Sequence, residues 1–258
     1  MKVVILAGGK GTRIAEEATT KPKPLIEIGR WPLIWHIMKI YSHYGFREFI
    51  VCLGYRGYMI KEYFSNYFLH MSDVTFDMAR NSVEVHQRHA EDWKVTLVDT
   101  GEETATGGRL KQVQPHLEGE SSFALTYGDG VSDVDLRELV SFHHCHGKYA
   151  TVTAVQPAMR FGALEIGEGD QVKRFHEKAV EGGGWINGGF FVLSAPVFDY
   201  IESNETSWEG TPLEKLAQDD QLRAFKHNNF WYPVDTLRDK NYLEGLWEGG
   251  SAPWKIWR

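Results

Sequence analysis

Short apolar runs with the character of β-strands alternate with amphipathic helical runs from Lys2 to Gln156. Parallel strands need a crossover connection, usually a helix, so this alternation predicts βαβ units around a mostly parallel sheet flanked by helices. The expected elements are strand Lys2–Leu6, helix Pro32–His43, strand Glu48–Leu53, helix Tyr58–Phe64, strand Thr96–Asp99, helix Arg109–His116, strand Phe123–Tyr127, helix Asp135–His146 and strand Ala150–Gln156.

The rest of the chain is richer in strands. The expected strands are Ala163–Ile166, Val172–His176, Ile186–Leu193 and Leu222–His227, with helices at Pro196–Ile201 and Thr236–Trp247. Strands with so little helix between them favour antiparallel additions at the sheet edge. No linker or repeat divides the sequence, which predicts a single α/β domain over 1–258. Residues 65–88 are interpreted as an insertion or lid, and 249–258 as a C-terminal tail that packs against the body or another subunit.

Composition narrows the possible partners. The formal net charge is −7, whereas proteins that grip a nucleic-acid backbone present a basic face, so no nucleic-acid partner is expected. The two cysteines cannot build a disulfide framework or a zinc site. No run resembles a signal peptide or a membrane span, which predicts a soluble, cytoplasmic protein with no membrane partner.

A glycine-rich segment follows the first expected strand, reading Leu6-Ala7-Gly8-Gly9-Lys10-Gly11-Thr12-Arg13. Residues without a Cβ let backbone N–H groups approach phosphate oxygens. The segment is neither a Walker A loop nor the dinucleotide fingerprint, since Ile14 takes the place of the third glycine. A tight turn would explain the glycines equally well, but the guanidinium of Arg13 is suited to bidentate phosphate binding.

A second basic motif, Lys21-Pro22-Lys23-Pro24-Leu25, comes ten residues later. Two prolines hold this segment extended and can aim the ammonium group of Lys23, although a solvated basic turn is the alternative.

These two motifs together resemble the signature of the sugar-1-phosphate nucleotidyltransferase family. The resemblance implies a Rossmann-like nucleotidyltransferase fold in which Arg13 and Lys23 are catalytic, binding the triphosphate and stabilising charge at the α-phosphorus. The nucleotide site that it implies comprises Leu6, Ala7, Gly8, Gly9, Lys10, Gly11, Thr12, Arg13, Lys23, Thr104, Arg109 and Gly128.

Two aspartates follow strand-like runs. Asp129 stands between two glycines after Phe123–Tyr127, and Asp235 follows Tyr232-Pro233-Val234. Open α/β sheets bind ligands at the carboxyl ends of their strands, and Mg²⁺ takes one or two carboxylates together with phosphates and water. A turn role for Asp129 and a helix-capping role for Asp235 remain alternatives. The family resemblance implies that both carboxylates hold Mg²⁺.

The sugar side of the site is implied by the resemblance alone. It assigns Glu177 to sugar hydroxyls, Lys178 to the sugar phosphate and Asn187 to a hydroxyl. Gly128 and Gly162 line the same pocket by the same resemblance. The family usually has proline after the lysine, where this chain has Ala179.

Further segments are similar to one branch of the family, whose substrates are CTP and glucose 1-phosphate. They are Asp99–Lys111, His70–Val74, Tyr127–Val131, Thr236–Lys240 and Ala252–Lys255. The resemblance implies in-line attack by the sugar phosphate, giving CDP-glucose and pyrophosphate for deoxysugar and O-antigen (lipopolysaccharide) biosynthesis, by a homo-oligomer. Thr104 and Arg109 would then hold the cytosine nucleotide, although an ordinary helix start explains that segment locally.

Other functions stay open at this point. The same reaction with another nucleotide or hexose phosphate is one alternative. A non-catalytic nucleotide-sugar sensor is another, which the metal aspartates disfavour. The cluster His143-His144-Cys145-His146 is interpreted as a solvent-facing helix end and not as a metal site.

Overall fold

The computed structural model describes residues 1–11, 21–88, 90–156, 163–166, 172–176 and 184–257. Its strands are β1 Val3–Leu6, β2 Glu27–Ile28, β3 Trp31–Pro32, β4 Glu48–Leu53, β5 Ser72–Asp77, β6 Ser82–Arg88, β7 Lys94–Asp99, β8 Ser122–Tyr127, β9 Gly130–Ser132, β10 Ala150–Val155, β11 Ala163–Ile166, β12 Val172–His176, β13 Ile186–Ser194, β14 Leu222–His227 and β15 Trp231–Pro233. Its α-helices are α1 Leu33–His43, α2 Gly57–His70, α3 Thr106–Gln112, α4 Leu136–His146, α5 Thr211–Gln218 and α6 Leu237–Glu248. Turns of 3₁₀-helix occupy Lys23–Leu25, Gln114–Leu117 and Ala195–Tyr200.

In the described ranges, the central sheet contains seven strands in the order β14-β10-β13-β8-β1-β4-β7. β1 pairs in parallel with β4 and β8, β4 with β7, and β10 with β14. β13 is antiparallel to both of its neighbours, β8 and β10. The predicted α/β class with a mixed, mostly parallel sheet is therefore confirmed.

Two apolar layers cover the sheet because the side chains of its central strands alternate between its faces. In β1, Val3 and Ile5 join one buried cluster, while Val4 and Leu6 join the other. Helices α1, α2, α4 and α6 contribute to the first cluster, and α3 and α5 to the second. All four residues of β1 are buried, as expected for a strand covered on both sides.

The carboxyl ends of the parallel strands meet at one edge of the sheet. The register pairs Leu6 of β1 with Cys52 of β4 and Tyr127 of β8, so the loops that follow these strands are neighbours. β13 runs the other way and its amino end, which carries Asn187, therefore lies at the same edge. One antiparallel strand thus brings a distant segment to the edge where the parallel strands end.

One sequence expectation, the placement of the antiparallel strands, was wrong, and two regular features were not foreseen; the interpretation of 65–88 as an insertion or lid stays a prediction. The antiparallel strand β13 lies inside the sheet, between β8 and β10, and not at its edge. The edge strand β14 is parallel to its neighbour β10. Residues 65–88 are regular: they complete α2, which ends at His70, and form the hairpin β5–β6. Helix α5 was not expected. No helix of the described part of the chain is long and apolar enough to cross a membrane.

The C-terminal tail packs against helix α1 of the same chain through buried aromatic rings. Of the two predicted partners, the body of the chain or another subunit, the structure shows the first. Trp254 is fully buried, and its indole N–H donates to Nδ1 of His36 at 3.3 Å. His36 Nε2 lies 3.0 Å from the carbonyl oxygen of Ile28. Because the indole can only donate, Nδ1 must accept and Nε2 must carry the proton, which fixes His36 as a neutral imidazole.

Replacing Trp254 by alanine is expected to destabilise the domain strongly. The change would empty a fully buried indole site and remove the donor to His36, at a cost of ~3–5 kcal/mol in the free energy of unfolding. Urea unfolding followed by circular dichroism measures this loss. Trp185→Ala is the matched control, because Trp185 is 39% exposed. Equal losses in the two variants would contradict a structural role for the tail.

Stability is also expected to fall in mild acid because of His36. Burial lowers the pKa of His36 to about 4, whereas an unfolded histidine titrates near ~6.5. The unfolded chain therefore binds this proton first, so the contribution is complete above pH ~6.5 and is lost as the pH falls towards about 4. The loss is on the order of 3 kcal/mol. Urea unfolding across this pH range should show a smaller acid loss in His36→Gln, whose amide can replace the neutral donor and acceptor. If His36→Gln lost as much stability in acid as the wild type, the assignment of this pH dependence to His36 would be contradicted.

Candidate active site

A cavity of about 370 Å³ opens at the edge where the parallel strands end. The glycine loop after β1, the start of α3, the end of β8 and Lys23 surround it. Its lining residues are Leu6, Ala7, Gly8, Gly9, Gly11, Lys23, Pro24, Thr104, Ala105, Thr106, Arg109, Tyr127, Gly128, Asp129 and Asp235. Segments that are far apart in the sequence thus meet where an open α/β sheet offers its ligand site.

Asp129 and Asp235 face each other across the ammonium group of Lys23. Lys23 Nζ donates to Asp129 Oδ2 at 2.7 Å and to Asp235 Oδ1 at 2.8 Å. Burial lowers the pKa of Lys23, but the two carboxylates raise it by more, so its pKa lies above the ordinary value. The two carboxylates therefore sit together in the free protein because a cation lies between them.

Backbone pairing explains how Asp235 reaches Asp129. The short strands β9 and β15 pair antiparallel with Gly130 opposite Pro233, and the N–H of Val234 donates to the carbonyl oxygen of Asp129 at 2.8 Å. Thr236 caps helix α6, and its hydroxyl accepts from the N–H of Asp239. The capping alternative for Asp235 is thereby removed, because Thr236 has that role.

The proline-rich segment holds Lys23 in place. Pro22 and Pro24 are buried, and Lys23 begins a 3₁₀ turn that ends at Leu25. Gly128 allows this segment to lie against the end of β8, because a Cβ there would lie 3.0 Å from both Pro24 Cγ and the Leu6 carbonyl oxygen. The segment was predicted to be extended, and this holds at Pro22 but not from Lys23 onwards, where the chain turns into the 3₁₀ helix; the ammonium group nevertheless lines the cavity.

The two carboxylates fit a hard divalent cation. Mg²⁺ binds oxygen ligands and commonly takes one or two protein carboxylates, with phosphate oxygens and water completing its octahedron. Among the described residues no group of three or more His, Cys, Asp and Glu side chains could form an all-protein cage. Asp129 and Asp235 therefore match a metal that arrives with substrate phosphates.

Arg109 is buried, with 4% of its surface exposed, and its guanidinium holds three loops together. Nη1 donates to the carbonyl oxygens of Leu53 and Gly101 at 3.0 and 2.7 Å and to the Thr100 hydroxyl at 2.8 Å. Nη2 donates to the carbonyl oxygen of Gly8 at 3.1 Å. All these acceptors are uncharged, so the guanidinium adds a positive charge beneath the glycine loop.

Gly8 and Gly54 are required by this buried guanidinium. A Cβ at Gly8 would lie 2.2 Å from Arg109 Nη1, and a Cβ at Gly54 would lie 2.5 Å from the same atom. Gly9 has open space around its Cβ position. The first glycine of the loop is therefore explained by packing on Arg109, while Gly9 leaves room above the loop.

Glu209 is a polar residue at this site that the sequence analysis missed. Its carboxylate accepts hydrogen bonds from the hydroxyls of Tyr127 at 2.6 Å, Thr106 at 2.5 Å and Ser207 at 2.6 Å. Partial burial raises the pKa of Glu209, but the hydrogen bonds from Ser207, Thr106 and Tyr127 outweigh it, so the pKa lies below the ordinary value. No local motif marks this glutamate.

Of the remaining predicted site residues, the structure describes only Asn187 and Lys10. Asn187 lies beside the cavity, where its Nδ2 donates to the Tyr127 hydroxyl at 3.2 Å. Lys10 lies at the surface in an ion pair with Glu103, at 2.5 Å. The predictions for Thr12, Arg13, Gly162, Glu177 and Lys178 fall outside the described residues.

The histidine cluster on α4 faces solvent only in part, which corrects the sequence interpretation for His143: His144 and Cys145 are exposed, as predicted. His143 is buried; its Nδ1 lies 2.9 Å from the Thr151 hydroxyl and its Nε2 2.9 Å from the Ser194 hydroxyl. His146 Nε2 lies 2.7 Å from the same Thr151 oxygen. Both ring nitrogens of His143 thus have hydroxyl partners from β10 and β13, and this helix end is a structural contact.

Comparison with known proteins identifies the family. The family model described as "Nucleotidyl transferase" matches residues 2–244. A protein of Salmonella typhimurium named glucose-1-phosphate cytidylyltransferase is 59% identical over 257 residues, covering 100% of both chains. A Bacillus subtilis protein named probable glucose-1-phosphate cytidylyltransferase is 43% identical, again over 100% of both chains.

Solved structures agree on the fold. HddC from Yersinia pseudotuberculosis complexed with GMP-PN superimposes with a TM-score of 0.69 at 23% identity, covering 95% of this chain and 99% of that one. A putative glucose-1-phosphate thymidylyltransferase from Bacillus anthracis superimposes with a TM-score of 0.70 at 18% identity, covering 100% and 98%. The chain therefore belongs to the nucleotidyl transferase family, among the glucose-1-phosphate cytidylyltransferases.

Proposed function

We propose that this protein transfers CMP from CTP to α-D-glucose 1-phosphate, giving CDP-glucose and pyrophosphate, with Mg²⁺ as its cofactor. The observation that carries the proposal is the meeting of Lys23, Asp129 and Asp235 beside a glycine loop, at the edge where the parallel strands end. The choice of cytosine and glucose rests on the names of the full-length relatives.

The two carboxylates would hold Mg²⁺, which supplies positive charge to the triphosphate when it is bound. Lys23 would then turn from the carboxylates towards a phosphate oxygen, since the metal replaces its charge between them. Arg13 would add a second cation at the triphosphate, as the family motif implies. The backbone of Gly8, Gly9 and Gly11 leaves space for phosphate groups against the loop.

The reaction needs no protein nucleophile. A phosphate oxygen of the sugar phosphate attacks the α-phosphorus of CTP in line, forming one P–O bond. The bond between the α-phosphorus and the bridging oxygen breaks on the opposite side, and pyrophosphate leaves with that oxygen. The chain contributes by holding both anions in line and by offsetting their charge, which is how phosphoryl-transfer enzymes generally act.

Each substrate has its own side of the cavity in this proposal. Thr104 would contact the nucleotide at the start of α3, while Arg109 supports the loops there, since its hydrogen bonds already go to the protein. Glu177 and Lys178 would bind the sugar and its phosphate, with Asn187 at a hydroxyl.

Further proposals follow from the relatives and the surface. A homo-oligomer is supported by apolar side chains on the hairpin β5–β6, where Phe76 and Val83 are each 53% exposed and Met78 is 87% exposed. We place the enzyme in the cytoplasm, where CTP and sugar phosphates are made, and in deoxysugar or O-antigen synthesis.

The substrate assignment predicts pyrophosphate release with CTP and glucose 1-phosphate. Purified protein is incubated with Mg²⁺, glucose 1-phosphate and one nucleoside triphosphate at a time, and both pyrophosphate and the nucleotide sugar are measured. CTP should give turnover that EDTA abolishes. Turnover with UTP or dTTP alone would overturn the cytidylyl assignment, and binding of CTP without turnover would favour a sensor.

The metal assignment predicts weak Mn²⁺ binding in Asp129→Asn and Asp235→Asn when Mn²⁺ replaces Mg²⁺ in the presence of CTP. Each amide removes one anionic ligand but keeps the side-chain shape. Binding is measured by electron paramagnetic resonance, and turnover should fall roughly a hundredfold or more in each variant. Asp92→Asn is a matched control, since Asp92 pairs with Arg47 away from the cavity. Unchanged Mn²⁺ binding in both site variants would contradict the assignment.

Lys23→Met should have opposite effects on metal binding and on catalysis. Removing the ammonium leaves the two carboxylates without a counter-charge, so Mn²⁺ should bind the CTP-free protein more tightly than it binds the wild type. Turnover should nevertheless drop by roughly a hundredfold, because a charge that acts on the triphosphate is lost. Weaker Mn²⁺ binding in the CTP-free variant would show that Lys23 does not compete with the metal.

A further inference from the structure

A chain of directed hydrogen bonds links Glu209 to Asn187 through Tyr127. The Tyr127 hydroxyl donates to Glu209 Oε1 at 2.6 Å and accepts from Asn187 Nδ2 at 3.2 Å. The backbone N–H of Gly189 donates to Asn187 Oδ1 at 2.8 Å. A carboxylate can only accept and a backbone N–H can only donate, so each group in this chain has a fixed role.

Packing fixes the ring at the centre of the chain. Gly189 has a φ of +77°, and a Cβ there would lie 2.5 Å from Tyr127 Cδ2, so the ring lies directly on the glycine backbone. Burial raises the pKa of the Tyr127 hydroxyl, and the charge of Glu209 raises it further, so the phenol keeps its proton. The hydroxyl is thus held as a donor towards Glu209.

Glu209 is itself positioned by the loop that precedes α5. Trp208 is fully buried, and its backbone N–H donates to the Thr106 hydroxyl at 2.9 Å. Gly107 and Gly108 let this loop lie on the start of α3, because Cβ atoms there would lie 2.7 Å from the Thr206 carbonyl oxygen and 2.4 Å from that of Asn204. The carboxylate is therefore held both by Thr106 and Tyr127, which line the cavity, and by the loop of Ser207 and Trp208 behind them.

We propose that Glu209 is a positioning residue that, through Tyr127, holds the Asn187 amide so that it donates its second N–H to an oxygen of the sugar phosphate. This inference rests on the proposed function, in which Asn187 contacts the sugar. Asn187 Oδ1 is occupied by Gly189, and one Nδ2 hydrogen faces Tyr127, so the other is the group left to donate. If the Tyr127 hydroxyl no longer donated to Glu209, its hydrogen could face the Asn187 NH₂ group, and the amide, still held at Oδ1 by Gly189, would lose the contact that fixes its Nδ2 end.

Glu209→Gln tests the relay selectively. Among the described side chains, the hydroxyls of Thr106 and Ser207 donate to Oε2, whereas the hydroxyl of Tyr127 donates to Oε1. A glutamine side chain at this position satisfies the three hydroxyls best when its oxygen faces Thr106 and Ser207 and its NH₂ group faces Tyr127. The variant therefore keeps the contact with Thr106 on the nucleotide side and replaces the acceptor of Tyr127 by a donor.

The expected result is a change in the KM for glucose 1-phosphate without a matching change in the KM for CTP. In Glu209→Gln the KM for glucose 1-phosphate should rise by roughly two- to tenfold, as for a weakened hydrogen bond to a neutral sugar hydroxyl, with the KM for CTP nearly unchanged. Tyr127→Phe should raise the same KM. Adding Glu209→Gln to Tyr127→Phe should have little further effect, because the relay is already broken. Ser207→Ala is the control, as it removes a donor to Glu209 outside the relay.

Two results would overturn the inference. Equal changes in both Michaelis constants would indicate a general structural role for Glu209. Additive effects of Glu209→Gln and Tyr127→Phe would show that the two residues do not act through each other. These outcomes are separate from failure of the proposed function, since wild-type turnover with CTP and glucose 1-phosphate is measured first. Thermal unfolding of each variant identifies a loss caused by misfolding.

Discussion

The arrangement of the site depends on one electrostatic constraint: two carboxylates lie close together in the free protein and would repel each other without a cation. Lys23 supplies that cation, with its ammonium group within 2.8 Å of a carboxylate oxygen on each side. The buried prolines around Lys23 and the β9–β15 pairing that carries Asp235 both serve this contact. A divalent metal with bound phosphate could replace the ammonium without leaving the carboxylates unpaired. The ion cluster therefore stabilises the fold before substrate binds and can be rearranged afterwards.

Arg109 represents a different solution to the problem of a charge near the sheet edge. A buried ion without a counter-ion is costly unless its hydrogen bonds are satisfied, and the guanidinium of Arg109 satisfies its own with carbonyl and hydroxyl oxygens. It thus fixes the loops after β1, β4 and β7 relative to one another and leaves its charge uncompensated by those contacts. An anion above Gly8 would interact favourably with that charge, because the guanidinium lies directly against the glycine.

The sequence predicted the parts of the site that depend on local chemistry and missed those that depend on tertiary contacts. The motifs around Lys23 and Asp129 were recognisable because proline and glycine constrain the backbone locally. The hairpin β5–β6 was missed although Val74 and Val85 stand opposite each other, since its inner face is only half-buried and apolar Phe76 is exposed, which weakens the alternation. Glu209 carried no local signal, because its partners Thr106 and Tyr127 are about a hundred and about eighty residues away.

The charges that line the described cavity bear on the proposed roles of the metal and of Arg13. Lys23 and Arg109 contribute two positive charges, and Asp129 and Asp235 contribute two negative ones, so these four side chains are neutral together. A nucleoside triphosphate and a sugar phosphate are both strongly anionic, and a neutral cavity would not hold them side by side. A divalent cation at the aspartates makes this group net positive, and Arg13, expected from its motif at the triphosphate, would add to it. In the proposed mechanism the two aspartates would lower the affinity of the free site for phosphate, and substrate binding would therefore depend on the metal.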